Sequence, residues 1–204
     1  MASTNKKSAI TLLKRKYKEL KCGVNSTMFK FIYDEPGQYL NNPGVAYILF
    51  NMTEGTYADQ SHIISIKFEY GDNFKRYQFP SDPPLVRFET PIYHANICDG
   101  AICLDIIKPE VWSPLYNVEQ IYNSIIILLN EPNNNDPLNR EAANQYKLLA
   151  GGEGGGFKAY CNIYYTNKMN SNLYAPIKQF ISCPEFNASA EEKEKKYNIS
   201  SLPI

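Results

Sequence analysis

Histidine and tryptophan are scarce in this 204-residue chain, with two of the former and one of the latter. With only His62 and His94 available, no zinc site or other metal centre is expected. Net charge is lacking as well. Lys and Arg number 21 against 21 Asp and Glu, which argues against a general nucleic-acid or membrane-surface binder. No apolar run approaches the roughly 20 residues of a membrane span, and no internal repeat is present. The five cysteines are odd in number, form no regular framework and follow no secretory pattern. A reducing compartment with free thiols, cytoplasmic and/or nuclear, is therefore expected. On that reading the glycosylation-like triplets at Asn25, Asn51, Asn187 and Asn198 are chance matches.

The length suits one ordinary domain with an extension. A core of roughly 150 residues buries around two thirds of its unfolded surface, so neither disulfides nor metal are needed for folding. The expected division is a folded unit over 1–150 and an extension over 151–204, partly helical and ending in a mobile tail from 187 that carries the charge run Glu191–Lys196. Charge is uneven despite the neutral total. Residues 1–30 hold eight Lys/Arg against the single acid Glu19.

Residues 8–21 read as a helix. Ser8 is a fitting cap, and Leu12, Leu13, Tyr17 and Leu20 recur at spacings of three and four beside a basic face. Strands are expected over Met28–Tyr33, Val45–Met52, Ile63–Tyr70 and Leu85–Glu89, separated by turns at Pro36-Gly37, Asn41–Gly44 and Gly71–Asn73. Strands joined by turns without intervening helices imply an antiparallel meander. Val118–Leu129 is the clearest helix, with a broad apolar stripe through Val118, Ile121, Tyr122, Ile125, Leu128 and Leu129, and Asn117 as its cap. Such a stripe should pack across the sheet. A further helix is expected over Leu138–Leu149, then a Gly-rich break over 151–156. The helical potential of Phe157–Ser182 is broken at Asn170–Asn172 and at Pro176.

The scarce residues converge on Tyr93–Pro114, which holds His94, Cys98, Cys103 and Trp112. Two readings of Cys103 stand side by side. Its neighbours Ile102 and Leu104 suit a buried, inert thiol, whereas Gly100 and Asp105 place it near a loop where a nucleophile can be reached. A Cys-x4-Cys pair without further ligands is a weak metal signal. A Cys103–His94 pair of the protease type needs a third, orienting group that no readable spacing supplies.

The order of residues here resembles a known family. His94-Ala95-Asn96, then Gly100-Ala-Ile-Cys103-Leu104-Asp105-Ile106, then Trp112-Ser113-Pro114 are similar to the active-site block of ubiquitin-conjugating enzymes. Phe79-Pro80-Ser81-Asp82-Pro83-Pro84 upstream, and Leu128–Pro132, Asp136–Asn139 and Ala142-Ala143 downstream, extend the likeness over roughly 8–149. The resemblance implies an α+β fold: an N-terminal helix, a four-stranded antiparallel meander, an active-site loop, a long central helix and C-terminal helices. It makes 1–150 the catalytic core.

It further implies an acyltransferase that needs no cofactor. Cys103 would accept ubiquitin as a thioester from the activating enzyme and give it to a lysine amine or a ligase cysteine. Asn96 would support the oxyanion, directly or by holding the loop, and Asp136 would orient the incoming lysine. His94 and Trp112 would be structural. Lys14, Arg15 and Lys18 would face the activating enzyme, and Ser113, Pro114 and Leu115 a ubiquitin ligase. The implied partners are thus ubiquitin, its activating enzyme, a ligase and protein substrates, with a monomer expected. A conjugating enzyme for a ubiquitin-like modifier and a noncatalytic ubiquitin-binding variant are the alternatives. Three features depart from the family pattern. Ala95 replaces proline, Asn96 to Cys103 is one residue shorter and Cys103 to Trp112 one longer, and Ser81-Asp82 stand where an aromatic or apolar residue is usual.

Overall fold

The computed structural model describes residues 29–33, 45–58, 60–71, 76–150 and 155–181. The expected helix at 8–21, with Lys14, Arg15 and Lys18, lies outside them. So do the turns at 36–37 and 41–44 and the tail from 187.

Four strands form the expected antiparallel meander: β1 (Phe29–Tyr33), β2 (Val45–Asn51), β3 (Ser61–Lys67) and, after an inserted hairpin, β6 (Leu85–Phe88). The insertion, β4 (Glu69–Gly71) with β5 (Arg76–Gln78), was not foreseen. The alternation that suggested one strand to Tyr70 runs through Phe68, but β3 ends at Lys67. Phe68 is buried against Phe79, ring centroids 5.1 Å apart, and the Phe79 amide donates to the Phe68 carbonyl at 2.9 Å. Those contacts turn the chain out of the main sheet. Beyond β6 the sheet gains two-residue strands, β7 (Ile97–Cys98) and β8 (Ala101–Ile102), so that its order is β1-β2-β3-β6-β8-β7.

Helix α1 (Val118–Asn130) lies across the inner face. Asn117 and Gln120 close a reciprocal capping box, each side chain bonding the other's backbone amide at 2.9 Å. Val118, Ile121, Tyr122, Ile125 and Leu129 are buried in one cluster with Ile48, Phe50, Ile64, Ile66, Val86 and Phe88. Each such side chain contributes about 1.5–3 kcal/mol of transfer free energy.

Helix α2 (Arg140–Ala150) is capped by Asn139, whose Oδ1 accepts from the Ala142 amide at 3.1 Å. Helix α3 (Gly156–Met169) inserts Phe157 and Cys161 into the main core. A 3₁₀ turn (Asn172–Tyr174) then leads into α4 (Ala175–Ile181). The break expected at 170–172 is present, but the one expected at Pro176 is not. Pro176 is the second residue of α4, where its amide would lack an intrahelical partner anyway. Met169 and Ile177, with Tyr165, Tyr174 and Ile181, pack on Val45, Tyr47 and Ile63 of the sheet's outer face. Both faces of β3 are consequently buried.

The two histidines sit inside this core. His62 is wholly buried among Phe50, Tyr57, Phe88 and Tyr165, with Nδ1 3.2 Å from Thr90 Oγ1 and no partner for Nε2 among the described residues. Burial lowers the pKa of His62 to about 3 and that of His94 to about 4. Both values are depressed below the unfolded value of roughly 6.5, so the stabilisation is complete above that pH and is lost as the pH falls toward 4. Between pH 7.5 and 5.0 the unfolding free energy is expected to fall by about 4 kcal/mol, about 2 from each imidazole. Urea titrations at the two pH values measure this. His62→Phe should halve the difference; an undiminished difference in that variant contradicts the assignment.

Candidate active site

Asp99 and Gly100 join β7 to β8 with φ of +48° and +78°, the pair of positive values that makes a type I′ hairpin turn. Asp-Gly is a preferred sequence for that turn, so the shortened Asn96–Cys103 interval is absorbed as a tight hairpin. A Cβ at position 100 would stand 2.6 Å from the Phe88 carbonyl oxygen, and so only glycine fits. Arg87 braces the turn by donating to the Asp99 carbonyl at 2.6 Å. Cys103 follows β8 directly. It is half-buried with a free thiol, and its amide donates to the Asn96 carbonyl at 2.9 Å. Full burial of this cysteine, suggested by Ile102 and Leu104, is not met, since β8 ends one residue earlier.

The segment leading into the hairpin is fixed by hydrogen bonds in the place of the family's proline. The Ala95 carbonyl accepts from the Asn139 amide at 2.7 Å. His94 Nδ1 accepts from the Asn96 amide at 3.0 Å, while Nε2 is 2.9 Å from the Leu128 carbonyl. An amide can only donate and a carbonyl only accept, so His94 is neutral with its proton on Nε2. Tyr57 Oη also donates to the Tyr93 carbonyl at 2.8 Å. His94 thus acts as a rigid link between the loop and α1.

Asn96 is buried, 1% exposed, and its side chain is held on both sides. Oδ1 accepts from the Asn133 amide at 2.8 Å, and Nδ2 donates to the carbonyls of Asn133 at 3.0 Å and Asp136 at 3.4 Å. Both amide hydrogens are taken by backbone, so Asn96 holds the 133–136 loop against the cysteine-bearing hairpin. Asp136 is brought here through its carbonyl, and its side chain is exposed. In the sequence Asn133 is distinguishable only as part of a loop. Its Oδ1 accepts from the amides of Asn135 and Asp136 at 3.1 and 3.3 Å. An asparagine in a loop, whose side chain can bond the backbone two residues on, is the signal for such a turn.

A 3₁₀ turn (Asp105–Ile107) carries the chain away from Cys103, and Lys108 pairs with Asp105 at 2.6 Å. Trp112 Nε1 donates to the Pro80 carbonyl at 2.9 Å, and the indole packs on Phe79 and Tyr116 at 5.8 and 5.7 Å. The indole thus has both a polar and an apolar partner here. Ser113 Oγ accepts from the Leu115 amide at 3.3 Å, with Pro114 exposed and Leu115 89% exposed. No group of three or more metal-ligating side chains is found among the described residues, and none of their helices is long and apolar enough to cross a membrane.

The family pattern described as ubiquitin-conjugating enzyme matches residues 15–149. The chain belongs to the ubiquitin-conjugating enzyme family. It is also 39% identical over 101 residues to ubiquitin-conjugating enzyme E2 1 of Caenorhabditis elegans. That match covers 49% of this chain and 48% of the relative, so it spans about half the relative's length. The family's α+β fold is the one described above. Cys103, Asn96, Asp136, His94 and Trp112 all lie within the matched residues, and the structure brings Cys103, Asn96 and the Asp136 backbone together.

Proposed function

We propose that this chain carries ubiquitin on Cys103 as a thioester, receives it from the activating enzyme, and passes it to a lysine amine or a ligase cysteine. The observation that carries the proposal is the Asn96 side chain, clamped between Asn133 and Asp136 while its own carbonyl bonds the amide of Cys103. That clamp ties the backbone of a half-buried Cys103, whose thiol is free, to a loop bearing the exposed Asp136.

A thioester already has a high acyl-transfer potential, so the protein's task is positioning. Thiol exchange needs only an accessible sulfur. Attack by an amine needs more, because a lysine with a pKa near 10.4 is mostly protonated at neutral pH. The Asp136 carboxylate accepts a hydrogen bond from the incoming amine and draws off its proton. As the tetrahedral intermediate forms, its oxyanion is stabilised by the loop that Asn96 holds; a donor from Asn96 itself would be the longer Nδ2 contact, released from Asp136. The half-buried Ser113 with the exposed Pro114 and Leu115 forms the ligase-facing surface, and the basic residues Lys14, Arg15 and Lys18 bind the activating enzyme.

The test is incubation with activating enzyme, ATP and ubiquitin, resolved on gels with and without reductant. A reductant-sensitive adduct is expected. An adduct formed only with a ubiquitin-like modifier moves the assignment to that modifier, and failure with every modifier contradicts the carrier reading.

A further inference from the structure

We infer that Cys98 and Cys103 form a reversible disulfide in the presence of hydrogen peroxide, a modification that withdraws the carrier thiol and shields it from irreversible oxidation. The effect on loading rests on the thioester reading above; the bond itself does not. The Cys-x4-Cys spacing, too poor in ligands for a metal, takes its meaning from the hairpin that joins the two residues. β7 and β8 pair with Ile97 opposite Ile102 and Cys98 opposite Ala101. The Cys103 amide donates to the Asn96 carbonyl at 2.9 Å, which makes Asn96 and Cys103 the next rung. Side chains alternate between faces along a strand, and residues directly opposite each other share a face. Ile97 is buried in the main core and Ile102 packs against it, so their rung faces inward. Asn96, Cys98, Ala101 and Cys103 therefore lie together on the other face, with the two cysteines as diagonal neighbours.

Both thiols are free and half-buried. Ala101, which flanks both, is exposed and adds only a methyl group to the face. The Cys98 thiol donates to Asp99 Oδ2 over 3.9 Å, a long contact from a weak donor that is released at little cost. Diagonal neighbours across an antiparallel pair have Cα atoms about 7–8 Å apart and Cβ atoms somewhat closer. A disulfide spans Cα atoms up to about 6.8 Å apart, so closure tightens the hairpin by about 1 Å. β7 and β8 are two residues long, and β7 stands at the end of the strand order, so few hydrogen bonds resist that movement. A bond closed under strain is easily reduced, which makes this a reversible modification and not a structural staple.

In the first step the Cys103 thiolate attacks one oxygen of hydrogen peroxide. The S–O bond forms, the O–O bond breaks, and the departing hydroxide takes up the proton the thiol released, giving water. The Cys98 thiolate then attacks the sulfenyl sulfur of Cys103. The S–S bond forms, the S–O bond breaks, and the second hydroxide leaves as water with the Cys98 proton. Two thiols are oxidised, and one peroxide is reduced by the same two electrons. Without Cys98, the sulfenic acid meets further peroxide and becomes sulfinic acid, which thiol reductants do not restore.

The experiment treats the full chain with excess hydrogen peroxide, quenches with catalase, alkylates the remaining thiols and digests without reductant, using a protease that cuts before aspartate. Cuts before Asp82, Asp99 and Asp105 place the two cysteines on separate peptides, 82–98 and 99–104. A cross-link between these peptides is expected, at a yield independent of protein concentration. Loading with ubiquitin should fall by about tenfold or more and return to within about twofold on adding reductant. Cys98→Ser should load as the native chain does before oxidation. After oxidation it should show no cross-link and carry sulfinic acid on Cys103, and reductant should restore less than about a fifth of its loading. Cys103 linked instead to Cys22, Cys161, Cys183 or a second chain overturns the inference. So does a Cys103 that stays open to alkylation, or that reaches sulfinic acid as readily with Cys98 as without it. A chain that forms the bond yet loads undiminished, or that never loads even before peroxide, counts against the carrier reading, while the peptide map still decides the pairing.

Discussion

Cys103→Ala is expected to lose loading with ubiquitin completely, whereas Cys98→Ala should load within about twofold of the native rate. Three described cysteines carry free thiols, and their surroundings separate them. Cys161, on α3, is buried in the core, its thiol directed at the Tyr93 carbonyl at 3.6 Å, and burial pushes its pKa up to about 12. Such a thiol is neither ionised nor reachable at neutral pH. Cys98 is half-exposed but lies in β7, with its thiol toward the Asp99 carboxylate at 3.9 Å. Only Cys103 is both accessible and tied, through its own amide, to the loop assembly. Cys103→Ser sharpens the test. Its oxygen nucleophile should give a slower adduct that resists reductant, since an ester replaces the thioester. Loading of Cys103→Ala at the native rate would remove Cys103 from the mechanism.

Asn96→Ala is expected to slow transfer to lysine by about 10²–10³-fold while loading from the activating enzyme changes by no more than about threefold. The asymmetry follows from the nucleophiles. Thiol exchange depends on access to the sulfur, which the substitution leaves intact, whereas amine attack depends on the loop that Asn96 aims. Truncation also orphans the Asn133 amide and two carbonyls, and each unsatisfied buried group costs about 1–3 kcal/mol. Thermal unfolding should therefore be measured beside the kinetics. Asn96→Asp adds a discriminating arm. A carboxylate can still accept from the Asn133 amide, but it cannot donate to the carbonyls of Asn133 and Asp136. It should rescue nothing. Equal loss of loading and transfer in both variants, at native stability, would refute the positioning role.

The parts of this fold that were legible in the sequence are those whose pattern and packing agree. The stripe of α1 reads as a helix because one side faces a sheet, and Asn117 with Gln120 closes a capping box at its start. β2 and the meander order read correctly for the same reason. β3 was overrun because the alternation through Phe68 and Tyr70 continues past the point where Phe68 turns inward onto Phe79. Pro176 looks like a break in the sequence because proline interrupts helices internally, whereas its place in the first turn of α4 removes the conflict. Nothing in the alternation of Val45, Tyr47 and Ile63 showed that a segment more than 100 residues later would cover that face.

At the site, the positions were legible but not the partners. Cys103 and Asn96 came from a motif, and the order of residues says nothing about which backbone groups an amide side chain will hold. Both hydrogens of Asn96 Nδ2 are used by Asn133 and Asp136, so in this structure the side chain holds the loop. The departures from the family pattern also have physical answers here. The missing proline is offset by the Asn139–Ala95 and His94–Asn96 hydrogen bonds, and the shorter interval by the Asp99-Gly100 turn.

The most direct test of the account is to load the full chain with ubiquitin, digest it without reductant, and map the bond by mass spectrometry. The account predicts a reductant-labile linkage on the peptide containing Cys103, carried by that sulfur and not by Cys98. A linkage on Cys98, or one found only on lysine with no thioester preceding it, would contradict it.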